Sequence, residues 1–149
     1  MTEKKKVIIL RGHSGSGKST YIKRKLSDAV VCSADSFFVD KKSGDYNFNP
    51  KLLGVAHGAC RKKFERALKA SEPLVVVDNT NTRHREYKDY LKLAKQYGYQ
   101  VEFVRMDTPV DVAADRNTHG VPLAAVERMA ARMDTVPDGY LETLVSGVE

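Results

Sequence analysis

Gly12-His13-Ser14-Gly15-Ser16-Gly17-Lys18-Ser19 stands between the apolar run Val7-Ile8-Ile9-Leu10 and the helical segment Thr20-Tyr21-Ile22-Lys23-Arg24-Lys25-Leu26. It fills every fixed position of the pattern GxxxxGK followed by Ser or Thr. The run before it is short, continuous and β-branched, as expected of a strand buried on both faces of a parallel sheet. Glycines let the backbone curl so that successive N–H groups converge on one concavity, and the following helix adds its positive end to that anion site. Lys18 is then placed to reach the β- and γ-phosphates of a nucleoside triphosphate, and the Ser19 hydroxyl to sit on Mg²⁺. Gly12, His13, Ser14, Gly15, Ser16, Gly17 and Thr20 complete the cradle, His13 for its shape. The bland alternative is a glycine-rich turn between strand and helix.

Three further apolar runs, Val30-Val31-Cys32, Leu74-Val75-Val76-Val77 and Val101-Glu102-Phe103-Val104, are each followed by a helical pattern. That alternation predicts an α/β fold with four parallel strands, a fifth being allowed, between two layers of helices. Asn49-Pro50 opens a helix with the stripe Leu53, Ala56, Cys60, Phe64, Ala67, and Arg61, Lys62 and Lys63 on its other face. Another helix starts near Thr82, buries Tyr87, Tyr90, Leu91 and Ala94, and stops at Gly98. Thr108-Pro109 and Val121-Pro122 start two more, the last with Val126, Met129 and Met133 as its packing stripe. Between Ser36 and Asn49 lies a long irregular segment with four aromatics and no periodicity.

The chain has 149 residues, 42% hydrophobic and 30% charged, enough for one compact domain without staples. We read residues 1–149 as that single domain, with a lid at about 116–133 and an acidic tail at about 134–149. Net charge is +6, but residues 1–106 carry 22 basic and 11 acidic residues while residues 107–149 carry 3 and 8. A basic body suits an anionic partner; solvated faces in balance are the alternative. Cys32 and Cys60 have no paired spacing, the four histidines share no metal-ligand spacing, and no apolar run is long enough for a signal peptide or a membrane span. Cytoplasmic residence is expected, or nuclear in a eukaryote; oligomeric state is not legible.

In an open parallel sheet, ligands gather beyond the carboxyl ends of the strands. Asp35 follows the second apolar run there and can accept the proton of a hydroxyl attacking the γ-phosphate; its other reading is a loop cap. Asp78 ends the third run in the manner of a Walker B acid, yet Asn79 stands where a water-activating glutamate would follow. No Asn/Thr-Lys-x-Asp guanine signature is present. Both omissions point away from a hydrolase or a GTP switch and toward a small kinase. Arg116, between two predicted helices, supplies positive charge for the moving phosphoryl group, with Arg128 and Arg132 in reserve; pairing with Asp111 or Asp115 is the alternative.

Taken in order, Gly12 to Thr20, Ser33-Ala34-Asp35, Asp78-Asn79-Thr80-Asn81, and Arg116-Asn117 with Val121-Pro122 and Met129 resemble the kinase domain of the 5′-hydroxyl polynucleotide kinase family of bacteriophages and related repair kinases. The resemblance implies a P-loop kinase-like three-layer αβα fold with a helical lid. It also implies transfer of the ATP γ-phosphate to the 5′-hydroxyl of DNA or RNA. By position it assigns Lys18 and Ser19 to the phosphates and Mg²⁺, Asp35 to the general base, Asp78 to an acceptor-side acid and Arg116 to the lid. The family's arginine three positions after the base is Phe38 here, and a further lid arginine is Gly120. Arg83 or Arg85 is expected to substitute, and no segment remains for the phosphatase domain that accompanies the phage kinase.

Independently of the family, Arg61, Lys62, Lys63, Arg83 and Arg85 suit the phosphates of a polyanionic acceptor. Phe37, Phe38, Tyr46 and Phe48 either stack on an unpaired base or pin their loop to the core. Two other functions stay open: a kinase for a small hydroxyl metabolite or nucleoside, and an ATP-dependent binding module that transfers nothing.

Overall fold

The computed structural model describes residues 5–13, 16–40, 42–115 and 121–146. Strands β1 (Lys6–Arg11), β2 (Val30–Cys32), β3 (Leu74–Asp78), β4 (Gln100–Asp107) and β5 (Glu142–Ser146) form one parallel sheet in the order β2-β3-β1-β4-β5. β1 lies in the middle because its residues are apolar on both faces. Val7 and Ile9 point into one buried layer, Ile8 and Leu10 into the other, and all four are 5% exposed or less.

Helices α1 (Lys18–Lys25), α2 (Leu53–Lys69) and α3 (His84–Gln96) cover the sheet. The layer of α2 and α3 gathers Cys32, Cys60, Phe64, Val75, Val77, Tyr87, Tyr90 and Phe103, and that of α1 gathers Leu26, Val76, Val104 and Met106. Burying each large apolar side chain contributes roughly 1.5–3 kcal/mol, which is why these stripes fix the sandwich. Short helices α4 (Val110–Asp115) and α5 (Leu123–Ala131) pack on each other beside it. Asn49 caps the start of the α2 region by accepting from the Lys51 backbone N–H at 3.0 Å, and Pro50–Leu52 forms a single 3-10 turn before the helix.

Four expectations change. Leu53 is exposed, because the face of α2 that meets the sheet begins one turn later at Ala56. Met129 and Met133 are half-buried and only Val126 is buried on α5, whose partner is α4. The expected acidic tail contains β5, paired to β4 from Phe103↔Glu142 to Asp107↔Ser146. The segment after Asp35 is built rather than irregular. A 3-10 turn spans Asp35–Phe38, Val39 pairs with Tyr46, and Asn47 N–H donates to Phe38 O at 2.9 Å.

Candidate active site

The phosphate loop leaves β1 at Gly12, whose N–H donates to Thr80 O at 3.1 Å and so ties the loop to the end of β3. A Cβ at Gly12 would lie 2.5 Å from Ser16 Oγ and 3.2 Å from Met106 Cβ, so the loop closes only over glycine. Gly17 turns the chain into α1 with φ 101°, a left-handed conformation that favours glycine. His13 Nε2 donates to Thr108 O at 3.0 Å, and Thr108 Oγ1 donates to Ser16 O at 2.7 Å. The loop is therefore latched to the end of β4 as well, which gives His13 and Thr108 positions that no spacing in the sequence signals. Ser16 Oγ is buried against Gly12, without a hydrogen-bond partner among the described residues.

Lys18 Nζ bends back over the loop and donates to Gly12 O at 2.7 Å, with His13 O at 3.4 Å. Burial pushes its amine below the ordinary lysine range, against the pull of the Asp78 and Asp35 carboxylates. Asp78 shows the converse: burial raises its carboxyl, the Lys18 charge draws it down, and Asp35 raises it further. The three groups thus share one crevice at the carboxyl ends of adjacent strands. Ser19 and Thr20 lie exposed at the first turn of α1.

Asp35 is held by its surroundings rather than by its own strand. Asn79 Oδ1 accepts from Ala34 N–H at 2.9 Å, and Asn79 Nδ2 faces Cys60 Sγ at 3.7 Å, so the residue in place of the water-activating glutamate ties β3 to β2 and α2. The Tyr46 hydroxyl donates to Asp35 Oδ1 at 3.2 Å. Burial and then the Asp35 charge push that phenol up to about 12, so it stays a donor at neutral pH.

Asn81 is fully buried with φ 47° and donates from Nδ2 to Leu10 O at 2.8 Å, which locks the β3 exit onto β1. Glu86, in the first turn of α3, accepts from Thr80 Oγ1 at 3.1 Å and from both the Oγ1 and N–H of Thr82. Burial alone would raise its carboxyl; the Thr82 and Thr80 hydrogen bonds and the Arg132 charge outweigh that and hold it below the ordinary range. A carboxyl lowered by folding contributes stability above its unfolded value and loses it as pH falls through the folded one. We expect urea denaturation of Glu86→Gln to show a flatter loss of stability on acidification than the wild type; parallel acid limbs would refute it.

Arg11 is the main residue that sequence reading passed over. It closes β1 immediately before the loop and is fully buried. Nε donates to Asn81 O at 2.8 Å, one terminal nitrogen to Glu142 at 2.6 Å, and the other to Thr82 O at 3.1 Å, Asp134 O at 2.9 Å and Asp134 Oδ1 at 2.6 Å. Asp134 Oδ2 in turn accepts from His84 N–H at 2.7 Å at the start of α3. One guanidinium therefore joins the phosphate loop, the β3 exit, the chain leaving α5, and β5.

Of the expected acceptor residues, Arg61, Arg83 and Arg85 are exposed on α2 and at the entry to α3. Lys63, grouped with them in the sequence, donates to Val31 O at 2.7 Å and serves β2. Phe38 is corrected: at 5% exposed it belongs to the main core, so it pins the loop and offers no surface to a substrate. His57, one of the four histidines without metal-ligand spacing, is half-buried on α2. Burial and then Arg61 push its imidazole below the ordinary range, against Glu86 and Asp35, which places it within reach of the same crevice. Ser14, Gly15 and Arg116 lie outside the described residues, as do the other residues of 116–120, the first part of the lid expected at about 116–133. Among the described residues no helix is long and apolar enough to cross a membrane.

The family described as AAA domain matches residues 7–136. The chain belongs to that family. The chain is also similar to human NEDD4-binding protein 2, 34% identical over 132 residues, which covers 83% of this chain and 7% of the relative's length. The AAA-domain fold here also aligns with a crystal structure of a putative kinase from Chloroflexus aurantiacus at a TM-score of 0.73 and 15% identity, over 97% of this chain and 89% of that one. A chain of the Pnkp1/Rnl/Hen1 complex aligns at a TM-score of 0.62 and 25% identity, over 78% and 40%. The five-stranded parallel sheet with helices on both faces is thus a P-loop kinase-like α/β fold.

Proposed function

We propose that this AAA-family domain transfers the γ-phosphate of ATP to the 5′-hydroxyl of a DNA or RNA end. The observation that carries the reading is the single crevice in which Lys18 feels the charge of both Asp78 and Asp35. A phosphate-loop lysine beside a strand-end carboxylate suits hydroxyl activation, and Asn79, engaged with Ala34, leaves no acid in the water-activating position. The exposed Arg61, Arg83 and Arg85 support a polyanionic acceptor, as does the likeness to a chain of the Pnkp1/Rnl/Hen1 complex.

In this reading the backbone N–H groups of the loop between Gly12 and α1 hold the phosphates, and Lys18 exchanges the Gly12 carbonyl for their β- and γ-oxygens. Asp35 takes the acceptor's hydroxyl proton as that oxygen bonds to the γ-phosphorus. The bond from the γ-phosphorus to its bridging oxygen breaks, and ADP leaves with the electron pair. Arg116 covers the equatorial oxygens from the lid, while Arg61, Arg83 and Arg85 hold backbone phosphates of the acceptor. Ser19 and Asp78 present hard oxygen donors that fit Mg²⁺, which when bound would neutralise charge on the β- and γ-phosphates. The unbridged Cys32 and Cys60 agree with a reducing, cytoplasmic setting.

Incubation with γ-labelled ATP and a panel of 5′-hydroxyl oligonucleotides, nucleosides and sugars tests the reading. Label is expected on oligonucleotide 5′ ends. Label on small acceptors alone would make the domain a metabolite kinase, and label on none would make it an ATP-dependent binding module.

A further inference from the structure

The segment between β2 and α2 carries rings that the phosphate loop and its carboxylates do not use. Phe38 is their buried anchor, meeting the rings of Phe37, Tyr46 and Phe48 edge-on at centroid distances of 5.3, 6.3 and 5.1 Å. Tyr46 and Phe48 lie nearly parallel, 9° apart. The backbone fixes this arrangement: Asn47 N–H bonds to Phe38 O, Val39 pairs with Tyr46, and Asp40 Oδ1 accepts from the N–H groups of Lys42 and Ser43. On this hydrogen-bonded support Phe37 and Phe48 remain 42% and 50% exposed. Two large apolar rings kept at the surface by a built scaffold call for an occupant, and the scaffold is bonded to Asp35 through the Tyr46 hydroxyl.

We propose that Phe37 and Phe48 form a platform for the unpaired terminal nucleobase of the acceptor, which delivers the adjoining 5′-hydroxyl to Asp35. The inference rests on the polynucleotide reading above and adds to it that a base, and not only a phosphodiester chain, is recognised. Every base has a π-face, so such a platform tolerates any sequence at the end while rejecting an end that lacks a base. Phe37 lies two residues from Asp35, and Tyr46 touches both Asp35 and the ring set, so the rings and the carboxylate belong to one bonded unit. Exposed Lys51 and Arg61 on the adjoining turn and helix provide charge complementary to the phosphates that follow.

The test compares two single-stranded 5′-hydroxyl oligonucleotides, identical except that one carries an abasic tetrahydrofuran residue at its 5′ end. For the wild-type chain we expect the abasic end to raise KM roughly 5- to 150-fold, with KM for ATP unchanged. Phe37→Ala and Phe48→Ala should raise KM for the intact end toward the abasic value and leave the abasic KM where it was. Phe48→Trp, which keeps a ring, should retain the intact KM and separate loss of stacking from loss of fold. Equal KM values for the two ends in the wild type, or equal effects of Phe48→Ala on both, would overturn the platform while the kinase reading stands. Rings that instead join two copies would lose a dimer on Phe37→Ala with KM unmoved, which also overturns it. No product from either oligonucleotide would overturn the acceptor reading and the platform together.

Discussion

Asp35→Asn is expected to transfer phosphate roughly 10²–10⁴-fold more slowly than the wild-type chain while binding ATP as before. Asparagine has the same shape, so its side-chain oxygen still accepts from the Tyr46 hydroxyl and the turn from Asp35 to Phe38 is kept. What it cannot do is take a proton. Lys18 loses only the weaker of its two carboxylate neighbours, because Asp78 acts on it more strongly than Asp35 does. Calorimetric titration with ATP and single-turnover transfer to a 5′-hydroxyl oligonucleotide separate the two effects. Near-normal turnover would move the base elsewhere, and a parallel loss of ATP affinity would make Asp35 part of the nucleotide site.

Arg11→Met is expected to cost about 3–5 kcal/mol, since removing one member of a buried ion pair strands the others. The lower end is favoured, because the side chains of Asp134 and Glu142 keep 33% and 17% of their exposure and regain some water. The carbonyls of Asn81 and Thr82 also lose their donor at the mouth of the candidate site. Arg11→Lys should recover only part of the loss, for an ammonium cannot span a fork of separate acceptors. Combining Arg11→Met with Asp134→Asn and Glu142→Gln should restore stability beyond the single variant. Chemical denaturation checks all three; an unchanged midpoint for Arg11→Met would mean that the clasp contributes nothing.

The parts of the chain that could be read in advance are those whose cause is local. Gly17 announces the left-handed turn into α1, Asn49-Pro50 its own cap, and Tyr87, Tyr90, Leu91 and Ala94 their own buried stripe. The placement of Asp35 and Asp78 at one end of the sheet was legible because parallel strands send their carboxyl ends to one side. Arg11 was not: a charge after four apolar residues reads as the point where a strand meets water, and only residues far along the chain make it internal. The place of the fifth strand escaped for the same reason, since Glu142-Thr143-Leu144-Val145-Ser146 has little apolar pattern and owes its form to pairing with β4. Asn79 and Asn81 act through single hydrogen bonds to distant backbone, and no spacing encodes those. Which of the four aromatics pins the loop was not legible, because aromatics in an aperiodic segment look alike until one of them, Phe38, is seen to be covered.

The clasp around Arg11 also sets an order of events while the chain is being made. Arg11 lies 123 residues before Asp134 and 131 before Glu142. During synthesis the central strand therefore emerges long before the acids that neutralise its last residue, and an arginine without partners resists burial. β1 can collapse early with β3, but its carboxyl end, where the phosphate loop begins, cannot settle until the final strand arrives. The domain should thus acquire nucleotide affinity abruptly, as the last step of its maturation, and nascent chains that stop short of Glu142 should not hold ATP.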